Sequence, residues 1–305
     1  MSAPFISFSE AEAVIDWNEL TEALKEGHKF PKAKIGDTFL YRNEDTFLVR
    51  SAWIDGIGLV TKSATVFPQN SAKGSPVING AVNLFCDKSG TLEALIDFHA
   101  ITKFKTASDS LLAALNLARK DAKIILIIGA GTVGKSLIEA FGVGFPDAKI
   151  IVWNRTSDSA ERLITKYPNV NITTDLKTSV RKADIILTAT MTSESIVKGD
   201  WLRPGQHLNL IGAYRLDMRE TDDLALQRGQ IYVDSFDTTI GHIGEIESPL
   251  KTGAISKSDI IADFYSLDRF KRSTPETITV FKNGGGAHLD LITAKYIWDR
   301  WRIKN

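Results

Sequence analysis

The sequence predicts an α/β protein with two domains: a doubly wound parallel sheet preceded by a smaller, mixed α+β domain. Three observations carry this. The length of 305 residues suggests about two domains, and a hydrophobic content of 43% is ample for ordinary cores. The chain before residue 119 carries short extended runs with turn punctuation, as in an antiparallel sheet, whereas from Ile124 onward strand and helix patterns alternate, as in a parallel one. Between the two lies Gly129-Ala-Gly-Thr-Val-Gly134, placed after an apolar run and before a helical pattern.

The first domain is expected over residues 1–118, rejoined by a returning C-terminal helix over 286–305. Ser9 to Lys25 reads as an amphipathic helix opening on a capping box at Ser9 and Glu12. Strands are expected at Thr46 to Ser51, Leu59 to Val66, Ala81 to Phe85 and Thr91 to Asp97, separated by Asp-Gly, Lys-Gly, Asn-Gly and Ser-Gly pairs. A helix over about Thr106 to Arg119 leads into the second domain, residues 119–285. There the strand candidates are Ile124 to Ile128, Lys149 to Trp153, Asp184 to Thr188, His207 to Ile211, Ile231 to Asp234 and Thr277 to Phe281. A last helix spans Asp290 to Arg302, with Leu291, Ala294 and Trp301 among its apolar positions.

Gly129, Gly131 and Gly134, with Thr132 and Val133, form a Rossmann-type dinucleotide fingerprint. The first glycine permits the turn, the second lets a diphosphate approach the backbone, and the third lets helix and strand pack closely. The next strand ends in Asn154-Arg155-Thr156, twenty-five positions after Gly129, near where an NAD-binding chain carries an acid for the ribose hydroxyls. An asparagine followed by a planar cation suits a 2′-phosphate better, so NADP(H) is expected over NAD(H), the alternative being that Arg155 is a solvated loop residue. Thr190, after the strand ending at Thr188, is placed to touch ribose or nicotinamide. Thr106, read at a helix start, is a candidate phosphate donor or cap.

Lys plus Arg equals Asp plus Glu at 37 each, so no net field draws the chain to nucleic acid or to an anionic membrane. The lone Cys86 gives no disulfide framework, and Met1 to Phe8 lacks the pattern of a secretory leader, so a cytoplasmic location is expected. The five histidines show no metal-ligand spacing.

Four motifs in order, Gly58 to Asn70, Ile101 to Ser108, Ile127 to Gly131 and Ile211 to Glu220, resemble those of the ornithine cyclodeaminase and mu-crystallin family. Phe281 to Asp290 is most similar to its ketimine reductases, which act on Δ1-pyrroline-2-carboxylate and Δ1-piperideine-2-carboxylate. The resemblance implies a homodimer formed through the first sheet, with an imino or amino acid held between that domain and the nicotinamide. It places Lys62 on the substrate, Lys105 where the family carries a carboxylate-clamping arginine, and Arg50 (or Arg42) at an early arginine that aligns poorly. On strand alternation, Arg50 also reads as an exposed strand charge. His288 is a candidate proton relay, or a cap of the final helix.

Tyr214 stands where ornithine cyclodeaminases and the alanine dehydrogenases similar to them carry an aspartate. Without that acid/base group, reduction of a preformed cyclic imine is expected. The alternatives are ornithine cyclisation, an acyclic imino acid such as iminosuccinate, and a non-catalytic binding protein.

Overall fold

The computed structural model describes residues 3–305; Met1 and Ser2, where the reading of the N-terminus begins, lie outside them. The chain divides into two compact units, Met1–Lys105 with Gly286–Asn305, and Thr106–Gly285.

The first unit runs β1 (Phe5–Ile6), α1 (Phe8–Glu12), α2 (Trp17–Gly27), β2 (Lys34–Arg42), β3 (Asp45–Ile54), β4 (Gly58–Val66), β5 (Ile78–Phe85), β6 (Leu92–Asp97) and the start of α3 (Phe98–Leu117). The second begins with β7 (Ile124–Ile128), α4 (Thr132–Gly144), β8 (Lys149–Trp153), α5 (Ser157–Lys166), β9 (Asn171–Thr173) and α6 (Leu176–Lys182). It continues with β10 (Ile185–Thr188), β11 (His207–Leu210), α7 (Asp223–Gln227), β12 (Gly229–Val233), α8 (Phe236–Thr239), α9 (Gly244–Thr252), β13 (Ile260–Ala262) and β14 (Ile278–Lys282). The closing helix α10 (Ala287–Lys304) belongs to the first unit.

Six strands of the first unit lie in the order β1-β6-β5-β4-β3-β2, antiparallel except for the parallel pair β1 and β6. Strand alternation puts Ala52, Ile54, Val60, Ala64, Val82, Leu84, Ala94 and Ile96 on one face, and all are buried. Helix α10 packs on β3, β4 and α2 over this sheet. Its N-terminal half is buried from Ala287 to Ala294, so charged groups on it need partners in the interior.

The second unit is an eight-stranded, all-parallel sheet in the order β13-β12-β14-β11-β10-β7-β8-β9. From β7 the chain winds outward through β8 and β9, then returns to β10 on the other side of β7. That reversal makes the crevice beyond the carboxyl ends of β7 and β10 the place where such sheets take ligands.

Several local expectations are corrected. The helix read from Ser9 to Lys25 is two helices: Asp16 accepts from Asn18 N and Glu19 N, both at 2.9 Å, and this cap starts α2 afresh. The capping box is Ser7 with Glu10, not Ser9 with Glu12. Asn79-Gly80 lies inside β5, where the strand passes close to the Ser63 carbonyl of β4, and not at a turn. The helix read from Thr106 begins at Phe98, its first turn held by Asp97 accepting from Ala100 N at 2.9 Å. The division between units then falls within this helix, at Lys105 and Thr106, and not at 118 and 119.

Candidate active site

In the first unit, the register sets Arg50 of β3 directly opposite Lys62 of β4, so the two cations share the face that α10 covers. Lys62 is buried, with 5% of its surface exposed, and Lys105 is buried at 4%. The Lys62 ammonium donates to Thr102 Oγ1 at 2.9 Å and to Asp290 Oδ1 at 3.1 Å. The Lys105 ammonium lies 3.2 Å from the same Asp290 oxygen. Strand β4, helix α3 and helix α10 thus each contribute one charged group to a single enclosed point. The ring of Phe98, 4.6 Å from the Lys62 ammonium, closes one side.

Burial pushes Lys62 down to about 8, helped by the neighbouring charges of Lys105 and Arg50 and opposed by Asp290. Burial works against ionisation of Asp290 as well, but Lys105, Lys62 and Arg50 outweigh it and hold its carboxyl below the ordinary range. Two ammoniums on one carboxylate leave a net positive charge, which suits an anionic ligand.

Arg50 is only half-buried and donates from Nε to Asp37 Oδ2 at 3.0 Å, so its position is neither a free surface charge nor a member of the enclosed cluster. His288 is fully buried, its ring edge-on to His28 at 5.2 Å between centroids. It does not cap α10, whose N-cap is Gly286. Burial, His28 and Lys105 drive its pKa far below the usual histidine value, so the ring is neutral near pH 7.

Asp290 was not singled out from the sequence as a functional residue. A signal was present: Asp290, Ala294 and Ile297 fall at i, i+4 and i+7 of one helix, the last two apolar, and an acid on a buried stripe is paired.

In the second unit, the fingerprint stands where the sequence placed it. Gly129 has φ +120°, and a Cβ there would lie 2.6 Å from the Ala189 carbonyl oxygen at the end of β10; a Cβ at Gly134 would lie 2.0 Å from the Gly129 carbonyl oxygen. A Cβ at Gly131 would meet nothing within 4 Å. Gly131 caps α4 without a side chain, so its first-turn N–H groups face an open approach, as a diphosphate requires. These residues fit a dinucleotide.

Asn154 accepts from Ala130 N at 3.1 Å and donates to the Thr156 carbonyl at 2.9 Å and the Thr156 hydroxyl at 3.0 Å. It therefore ties the fingerprint turn to the end of β8, leaving the exposed Arg155 as the cation of this loop.

Beyond β10, Thr190 gives both its N–H and its hydroxyl to Glu220 Oε1, each at 2.8 Å. Glu220 Oε2 accepts from Gly212 N at 2.6 Å and Ala213 N at 3.3 Å, beyond β11. One fully buried carboxylate thus fixes the ends of two adjacent strands at the ligand edge of the sheet. Glu220 was missed as well, although it closes the motif that begins at Ile211. Tyr214, next along this loop, is 56% exposed. Thr106 lies inside α3, its carbonyl accepting from Asn283 Nδ2 at 3.2 Å, so it is neither a cap nor at a helix N-terminus.

No group of three or more His, Cys, Asp or Glu among the described residues is arranged to hold a metal ion, and no helix is long and apolar enough to cross a membrane.

The ornithine cyclodeaminase/mu-crystallin family matches residues 52–305. The chain is 44% identical to the Δ1-pyrroline-2-carboxylate reductase of Paracoccus denitrificans, over 97% of this chain and 96% of that one. It is 34% identical to the ketimine reductase mu-crystallin of Mus musculus, over 80% of this chain and 76% of that one. Among solved structures, the Thermococcus litoralis Δ1-pyrroline-2-carboxylate reductase in complex with NADH and L-proline superposes with a TM-score of 0.90 at 28% identity, covering 98% of both chains. A match along most of its length, together with the two sheets and their order, shows that the chain belongs to the ornithine cyclodeaminase/mu-crystallin family.

Proposed function

We propose that this chain is a nicotinamide-dependent reductase of cyclic ketimine carboxylates, converting Δ1-pyrroline-2-carboxylate to proline and Δ1-piperideine-2-carboxylate to pipecolate. One observation carries the reading beyond family likeness: Lys62 and Lys105 meet on a single buried oxygen, with net positive charge left over. A small ring bearing a carboxylate next to a C=N bond finds its counter-charge there. The reduced nicotinamide supplies a hydride to the imine carbon when bound. The C=N electron pair moves to nitrogen, which is already protonated in the iminium form, so the protein's tasks are to seat the carboxylate and fix the ring. Arg50, opposite Lys62, adds positive potential on the same face. His288, being neutral, serves by packing or hydrogen bonding and not as a cationic acid.

Tyr214 in place of a carboxylate supports imine reduction over ornithine cyclisation, since deamination needs a group that accepts a proton. Exposed Arg155, with Asn154 in place of an acid at the end of β8 and Thr156 after it, supports a preference for NADP(H), NAD(H) being accepted less well. Gly129, Gly131, Thr132, Val133 and Gly134 hold the diphosphate, and Thr190 lies near the ribose or nicotinamide. Exposed Phe39, Leu40, Tyr41 and Phe47 on β2 and β3 support a homodimer through this sheet. A cytoplasmic location suits a chain whose lone Cys86 is unpaired.

The test is consumption of NADPH and NADH by purified protein with the five- and six-membered ketimines, iminosuccinate, 2-oxo acids with ammonia, and ornithine. Turnover of a cyclic ketimine well above the others is expected. Tight cofactor binding with no turnover of any of them would instead favour a binding protein.

A further inference from the structure

Three features of Asp290 stand apart from an ordinary buried ion pair. Its side chain is wholly enclosed. Both lysines converge on Oδ1, at 3.1 and 3.2 Å. Its other oxygen, Oδ2, has no hydrogen-bond partner among the described residues. A pair selected for stability would spread two ammoniums over two oxygens, lowering their mutual repulsion and satisfying both acceptors. Here the repulsion is accepted and an acceptor left over.

We propose that Asp290 is a positioning residue for ketimine reduction, drawing the Lys62 and Lys105 ammoniums to one point so that together they form a charged seat for the substrate carboxylate. The proposal rests on the reductase reading above. Among the described residues, the charged groups that act on Lys62 are Asp290 on α10, Lys105 on α3 and Arg50 on β3. Two of these are cations that favour loss of the Lys62 proton, and enclosure favours it too. Asp290 is the single group in the set that opposes them, so Lys62 depends on this carboxylate to remain an ammonium in the neutral range.

The test compares the pH dependence of kcat/KM for the wild type, Asp290→Asn and Asp290→Glu, alongside cofactor dissociation constants and thermal melting. The free imine titrates identically in every assay, so differences between profiles belong to the protein. Removing an adjacent opposite charge displaces a titration by about one to three pH units. For a displacement of about two, Asp290→Asn loses roughly 50-fold in kcat/KM near pH 8 but only about twofold near pH 6. Cofactor affinity stays within about twofold, since the fingerprint belongs to the other unit. Asp290→Glu keeps the carboxylate but moves it by a methylene, so its alkaline limb stays in place while KM for the imine rises more than kcat falls. This second variant also serves if Asp290→Asn does not fold.

A uniform loss at every pH, or an unshifted limb in Asp290→Asn, overturns the proposal while leaving the reductase reading intact, as does a shifted limb in Asp290→Glu. A wild type that reduces no imine overturns the reading and the proposal with it.

Discussion

Replacing Lys62 with methionine is expected to abolish imine reduction and, at the same time, to make the protein more stable near neutral pH. The magnitude follows from the buried ammonium. Its pKa falls from 10.5 to about 8 on folding, and each pH unit of displacement corresponds to about 1.4 kcal/mol, so the charged form weakens the folded state by about 3 kcal/mol. Below about pH 8, Lys62 is protonated in both states and the folded chain bears this cost in full. Between about 8 and 10.5 the folded side chain is neutral while the unfolded one still holds its proton. There the unfolded state binds more protons, and stability rises with pH. Above 10.5 both are neutral and the cost is gone. Methionine fills much of the same volume and has no proton to lose. The stability difference between Lys62→Met and wild type should therefore be largest near pH 7 and shrink by about 3 kcal/mol as the pH reaches about 10.5. Guanidinium titrations at a series of pH values read this directly, because alkaline titrations away from the Lys62, Lys105 and Asp290 cluster are common to both proteins. A difference that stays constant with pH would refute the assignment of Lys62 as a desolvated ammonium.

The remaining predictions concern the cofactor loop, the strand clamp and the second lysine. Arg155→Ala should weaken NADPH by about tenfold or more and NADH by less than about twofold, as a charge-assisted contact of roughly 1.5–3 kcal/mol to the 2′-phosphate requires; equal losses in fluorescence titrations would remove the argument for phosphate recognition. Glu220→Gln leaves one oxygen to accept and turns an NH2 group toward backbone donors, so KM for the reduced cofactor should rise severalfold with the imine KM little changed. The reverse pattern in steady-state kinetics would place Glu220 on the substrate side. Lys105→Met should raise the imine KM, and by removing a repelling charge it should move the alkaline limb of kcat/KM to higher pH; a limb displaced downward would show that Lys105 does not act on Lys62 through charge.

The six longer strands of the parallel sheet were legible because each carries its signal within a few residues, as in Ile124 to Ile128, and because the glycine spacing that follows is tied to a specific backbone geometry; the three-residue β9 and β13 went unread, being too short to carry a pattern. Strand β2 was not. Its residues are almost all exposed, so Lys34 to Arg42 lacks the buried alternation that marks a strand, and it is held by hydrogen bonds to β3 that leave no trace in composition. The breaks around Asp16 and the start of α3 at Phe98 turn on single side-chain caps, which compete with helical periodicity over a few residues only. At the site, Lys62 and Lys105 came from motif resemblance, and each is readable as a lone cation. Their meeting point was not readable, because Asp290 lies 228 positions beyond Lys62 and no local pattern links strand β4 to the returning helix.

On the proposed reading, that meeting point also accounts for a lysine at 105, where the resemblance implies an arginine. A guanidinium presents two parallel N–H donors and can grip both oxygens of a carboxylate alone; an ammonium is a point charge and cannot. Two ammoniums held to one oxygen cannot be farther apart than the sum of their two distances to it, 3.1 and 3.2 Å, close enough to give one donor to each oxygen of the same carboxylate. The pair can do what the fork does, provided something overcomes its self-repulsion, and Asp290 is the group that does. The trio is therefore expected to behave as a unit. Charge removal at Asp290 and at Lys105 should displace the titration of Lys62 in opposite directions, whereas mere loosening of a packed helix would move both the same way.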